Sequence, residues 1–298
     1  MKQAVVLPLV IAIQLVSVDV NAQDSTGKYS LGLIFQSTDL YLSFKSFSPP
    51  FNKAVPVKTD LSGYFPRVGS QGGQASCVAW AVAYAMKSYQ EKAERDWKRN
   101  TGRTVFSPAY VYNQIKPEGC DEGSYISDAL KLLKKQGVAT WASFPYSDKA
   151  CDRKPSANVR DAAKEFQIHD WGRVEFDDLN DIKGFLAAGY PITVGATIYK
   201  NFMRWNSSAI YKAQEGRRVG GHAMVIVGYD DERKALRLIN SWGRKWGDSG
   251  FVWVSYDLVQ SGKFIKEAYV TIDEQAPKPP KKEEFPAPPA SGGWTPIN

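Results

Sequence analysis

The sequence predicts an α+β chain of two lobes, because its first half reads as helices and its second half as strands. A hydrophobic share of 43% over 298 residues is enough to bury a large core, and 13% aromatic content excludes a disordered chain. A cleft between two such lobes is the natural place for a site.

The chain opens with "MKQAVVLPLVIAIQLVSVDVNAQ", in which Lys2 precedes an apolar run from Ala4 to Val18 and a small-residue exit at Val20 and Ala22. This is the pattern of a secretory signal cut after Ala22, which implies a secreted or periplasmic protein. A membrane anchor needs about twenty unbroken apolar residues, whereas Gln14 and Asp19 interrupt this run. Residues 23–55 then form a short extension, with the apolar run "YSLGLIF" inside it and a break at Pro49-Pro50. The extension reads as a strand or arm packed on the main domain, with a cover over the cleft as the alternative. The main domain is expected over residues 56–275. Beyond it, residues 276–298 hold seven of the seventeen prolines and read as an extended, solvated tail.

Within the domain, "CVAWAVAYAMKSYQ" from Cys77 is apolar on nearly every side, as expected of a helix buried at the centre. Ser107-Pro108 is a helix start, with serine as cap and proline in the first turn. A further helix is expected from about Ser124 to Gln136, with Gly137 ending it. The strand-like runs are "PITVGATI" from Pro191, "HAMVIVGY" from His222, "ALRLIN" from Ala235 and "GFVWVSY" from Gly250.

Net charge is +7, but the basic residues are scattered and form no nucleic-acid arm. The three cysteines are odd in number, so at least one stays free unless it pairs between chains. No second His or Cys pair has zinc-ligand spacing, so no metal is expected.

Two of these elements carry chemistry. A hairpin folded about Asp231 brings His222 close to opposite Asn240, give or take a residue of register, so that the amide can fix the imidazole's tautomer and orientation. Cys77 falls at the start of the buried helix, where unpaired amides and the helix dipole are expected to lower a thiol's pKa. Gln71 lies six residues upstream across a glycine-rich turn and, with the Cys77 amide, is placed to stabilise an oxyanion.

Three segments, "QGGQASC", "GGHAMVIVGYD" and "INSWGRKWGDSGF", occur in an order that resembles the papain-like cysteine peptidases, the papain and cathepsin family. The resemblance implies a two-lobe papain-like fold and a cofactor-free peptidase acting on protein or peptide substrates, expected to be a monomer. It implies Cys77 as nucleophile, His222 as base and then acid, Asn240 as orienter and Gln71 as oxyanion donor. Trp242 matches the tryptophan that shields the histidine–asparagine hydrogen bond. "EGCDEGSY" and "FPYSDKAC" resemble family segments whose cysteines pair, implying a Cys120–Cys151 disulfide that leaves Cys77 free, and place Gly123 where backbone meets extended substrate. Three departures mark a divergent branch: Gln74 where a half-cystine is common, Val78 where tryptophan often follows the nucleophile, and Gly221 before the histidine. The alternatives are a transpeptidase or peptidoglycan-directed amidase with the same triad, or a catalytically silent binding protein on this scaffold.

Overall fold

The computed structural model describes residues 29–50 and 55–273, so the predicted signal and tail lie outside the described residues. Two lobes are present, a helical one built from the first half and a sheet built from the second.

The helical lobe is organised by a long buried helix. It starts as an α-helix at Cys77–Ala79, widens into a π-helical stretch at Trp80–Lys87 and continues as an α-helix at Ser88–Arg95. The alanines of "CVAWAVAYAMK" leave little side-chain bulk, so other elements pack around it on all sides and Val78, Ala79, Val82 and Ala83 are fully buried. Helices Pro108–Ile115 and Ile126–Gln136 flank it. Ser107 caps the first of these as expected, its hydroxyl accepting from the Tyr110 amide at 3.1 Å. The second starts two residues later than the sequence suggests, because Ser124 is extended and bonded elsewhere.

Eight strands form one sheet among the described residues: β1 Lys58–Asp60, β2 Asp170–Arg173, β3 Ile192–Tyr199, β4 Ile210–Tyr211, β5 Arg218–Asp230, β6 Ala235–Ile239, β7 Phe251–Ser255 and β8 Ile265–Ile272. Their order is β2-β8-β3-β5-β6-β7-β4, with β1 on the outer part of β5. The long apolar strand β5 is buried along most of its length and pairs with β3 at one edge and β6 at the other. Strands β2 and β8 were not apparent from the sequence. β2 is only "DWGR", and β8, "IKEAYVTI", has a Lys-Glu pair directly after its first residue, of which Glu267 is turned inward.

No helix among the described residues is long and apolar enough to cross a membrane.

Candidate active site

Cys77 is the first residue of the central helix and is fully buried. It is the free cysteine, since Cys120 and Cys151 are joined in a disulfide. Amides of Ala223 and Val78 face the sulfur and favour its ionised form, yet burial outweighs them and pushes the thiol up to about 12. The lowering expected from the helix start is therefore overturned in this conformation.

His222 precedes Ala223 on β5 and is also fully buried. The ladder pairs Val225 with Ile239, and a bulge between Ile226 and Gly228 shifts the register. That register carries Asn240, just past β6, opposite Met224, so it is a diagonal neighbour of His222 rather than its direct partner. Diagonal residues share a face, and His222 Nε2 meets Asn240 Oδ1 at 2.7 Å. The other ring nitrogen, Nδ1, is buried without a partner, as is Asn240 Nδ2. Burial lowers the imidazole to about 4, with the Asn240 bond opposing the shift.

The tryptophan of the Asn-Ser-Trp-Gly segment lies where a shield belongs. The Trp242 ring sits 4.3 Å from that of His222 and is itself buried. Gln71 is fully buried and tied to the residue after Asn240: its Oε1 accepts from Ser241 Oγ at 2.7 Å and its backbone amide donates to the Ser241 carbonyl at 2.9 Å. Its Nε2 donates one hydrogen to the Gln74 carbonyl at 2.9 Å, leaving the second. Ser241 was missed in the sequence, although its place between two motif residues marks it as the link between the lobes. The Gln71 carbonyl accepts from Tyr146, whose hydroxyl also meets Ser76 Oγ at 2.7 Å.

What covers these groups is the N-terminal extension. Residues 29–36 run between the lobes as a strap: the Ser124 amide donates to the Gly32 carbonyl at 2.8 Å, the Ile34 amide to the Ser124 carbonyl at 3.1 Å, and the Leu33 amide to the Gly221 carbonyl at 3.3 Å. A side chain at Gly32 would run into the Ala75 carbonyl, and a Cβ at Gly123 would lie 2.7 Å from the Gly32 carbonyl. Gly123 thus permits a close backbone approach, while Ser124 makes the hydrogen bonds. Upstream of Gly32, Tyr29 stacks on Trp242 at 5.1 Å and the Ser30 carbonyl accepts from Trp242 Nε1 at 2.9 Å. Reading the extension as an arm holds only for its second part, where Lys45 and Phe47 exchange backbone bonds with Arg173 at the edge of β2. The first part lies in the cleft, because its apolar side chains and glycine suit a groove lined by glycines from both lobes.

The family model for "Papain family cysteine protease" matches residues 55–272. The chain belongs to the papain family of cysteine peptidases. It is 28% identical over 218 residues to an uncharacterized peptidase C1-like protein of Acanthamoeba polyphaga mimivirus, covering 67% of this chain and 68% of that one. It is 30% identical over 212 residues to a cathepsin L-like proteinase of Fasciola hepatica, of which it spans 60%. Among solved structures, xylellain, a cysteine protease from Xylella fastidiosa, superposes with a TM-score of 0.71 at 28% identity, covering 83% of this chain and 97% of that one. This peptidase therefore has the papain-like two-lobe α+β fold expected from its motifs.

Proposed function

We propose that this cysteine peptidase is exported and hydrolyses peptide bonds in extended protein segments through Cys77, His222 and Asn240. The observation that carries the reading is the 2.7 Å bond from His222 Nε2 to Asn240 Oδ1, which leaves Nδ1 as the unpartnered nitrogen in a buried site whose next residue, Ala223, turns its amide to the Cys77 sulfur. Export is supported by the N-terminal signal pattern and suits the Cys120–Cys151 disulfide.

In the reaction, the Cys77 thiol gives its proton to His222 Nδ1 and the thiolate attacks the scissile carbonyl carbon. The oxyanion takes hydrogen bonds from the Cys77 amide and the spare Gln71 Nε2 hydrogen. Collapse breaks the C–N bond as His222 returns its proton to the departing amine, leaving a thioester on Cys77. Water then loses a proton to His222, attacks the thioester and releases the acid, restoring the thiol. Asn240 keeps the ring in one orientation throughout, and Trp242 keeps water from their bond. With the strap seated, the thiol is covered and neutral, so this is the resting form and a substrate must displace residues 29–36.

The test is hydrolysis of a fluorogenic peptide library by the purified chain and by its Gly32→Val variant, in which the strap is displaced, each beside Cys77→Ala. Cleavage that disappears with Cys77→Ala is the expected result. A folded Gly32→Val protein with an accessible thiol and no cleavage of any peptide would sink the reading.

A further inference from the structure

The two groups proposed to hold the oxyanion sit at opposite ends of one short turn. Gln71 opens it and Cys77 closes it, with Gly72 and Gly73 in its first half. Gly72 adopts φ +59°, and a Cβ at Gly73 would meet nothing within 4 Å, so this half of the turn has little stiffness of its own. No disulfide ties it down, because Cys120 and Cys151 pair with each other. The spacing of the two donors must therefore be fixed from outside the turn.

Residues 146–148 supply that support. The Tyr146 hydroxyl donates to the Gln71 carbonyl at 2.8 Å and, having one proton, accepts from Ser76 Oγ at 2.7 Å. It thereby joins the backbone of one oxyanion donor to the residue directly before the other. Ser76 is fully buried, and the Tyr146 ring meets Trp80 of the central helix edge-on at 5.0 Å. Burial raises the pKa of the hydroxyl, so it keeps its proton for the Gln71 bond. The next two residues hold only the middle of the turn, and at longer range: the Ser147 carbonyl accepts from Gln74 Nε2 and Asp148 Oδ2 from the Gly73 amide, both at 3.4 Å. Of the three, Tyr146 is the one that reaches both ends.

We propose that Tyr146 is a positioning residue for the reaction: its hydroxyl sets the distance between the Gln71 side chain and the Cys77 amide, and with it the geometry of the oxyanion hole. It acts through Gln71 and Ser76 rather than on the substrate. Its effect falls where negative charge develops on the carbonyl oxygen, in the transition state, and not on the first binding of the peptide. This inference rests on the peptidase reading above.

The experiment uses the full-length chain with Gly32→Val, or Leu33→Asp should that variant not fold. Tyr146→Phe removes the hydroxyl and keeps the ring. It is expected to lower kcat for fluorogenic peptides by about ten- to a hundredfold with KM within about twofold, the pattern of an interaction made only in the transition state. Two further readouts separate positioning from folding. Added to Gln71→Ala, Tyr146→Phe should cost less than about twofold more, since the donor it positions is already gone. Alkylation of Cys77 by iodoacetamide, which builds no oxyanion, should run at the same rate with and without the hydroxyl. Should Tyr146→Phe not fold, Ser76→Ala breaks the other bond of the same hydroxyl, with an expected loss of about three- to tenfold and the same dependence on Gln71. A kcat within about twofold, a loss that adds in full to that of Gln71→Ala, or alkylation slowed as much as hydrolysis would overturn the assignment while leaving the peptidase intact. Absence of any cleavage by the folded parent with its thiol accessible would overturn both.

Discussion

The central helix carries two equally buried polar groups, one at its start and one past its middle, that meet the cost of burial in opposite ways. Toward its C-terminal part, Lys87 is fully buried yet bonded to Glu91 at 2.7 Å, to Asp273 and to the Gln167 carbonyl at 3.3 Å. At its N-terminus, Cys77 and His222 are just as buried but carry no charge, with His222 Nδ1 and Asn240 Nδ2 unpartnered. One cluster ties its lysine into ion pairs; the other is neutralised, leaving donors and acceptors open. The second suits a substrate under the proposed reading, because unmet hydrogen-bonding capacity beside a thiol in a low-dielectric site is what a reacting group can use.

The comparison breaks most visibly at the imidazole. Replacing His222 with Gln should lower kcat/KM of the Gly32→Val protein by about a thousandfold or more, as loss of a catalytic base does, without disturbing the sheet. The ionic cluster should behave in the reverse manner. Lys87→Ala removes the buried cation that Glu91 and Asp273 share, leaving Glu91 to Arg95, and is expected to cost about 3–5 kcal/mol in urea unfolding, whereas Lys87→Met, which fills the volume, should cost less than Lys87→Ala. Hydrolysis per folded molecule should stay near wild type in both. A large drop in turnover with unchanged stability would erase the distinction between the two ends.

A pH series sharpens the same contrast. His222 stays neutral down to about 4 in the folded chain, while an unfolded chain takes up that proton near 6.5. The folded pKa is depressed, so its contribution is fully present above 6.5 and is lost as pH falls toward 4. At pH 4.5 the loss is about 2–3 kcal/mol. Urea unfolding at pH 7 and pH 4.5 should therefore show wild type losing that much more stability than His222→Gln. Equal losses in the two proteins would mean that the imidazole is not buried in solution.

How much of this was legible in the sequence differs between the same two regions. Cys77, His222 and Asn240 stand in motifs whose order along the chain marks them as the candidate site, and the apolar, strand-like runs of β3, β5, β6 and β7 were enough to locate the middle of the sheet. The register was not foreseeable: the turn closes between Asp230 and Ala235 rather than about Asp231, and the bulge near Val227 moves the pairing by one residue, so Asn240 ends as a diagonal neighbour of His222. β8 was hidden because Glu267 is a charged residue at an inward position, which interrupts the apolar run that marks a buried strand. The thiol was misjudged for a different reason. The helix start can be read locally, but the desolvation that outweighs it comes from packing by residues far along the chain and from a strap whose "YSLGLIF" is compatible with any extended, buried path.

The strap offers the mildest test and the one that joins the two halves of the contrast. Gly32 has room for a hydrogen and nothing more, because a larger group meets the Ala75 carbonyl. Gly32→Val should therefore lift residues 29–36 while Lys45 and Phe47 keep their bonds to Arg173. In the seated state the thiol ionises only toward about 12, so alkylation of Cys77 by iodoacetamide in wild type should be slow at neutral pH and keep rising beyond pH 9. In Gly32→Val the helix start and the nearby imidazole act on an exposed thiol, and alkylation should be at least about tenfold faster at pH 7, equivalent to ~1.4 kcal/mol of displaced equilibrium, with a plateau at lower pH. Identical rates and profiles in the two proteins would show that the strap is not what buries Cys77. The neutral cluster would then be as permanently closed as the ionic one, and its open hydrogen-bonding capacity would have no substrate to meet.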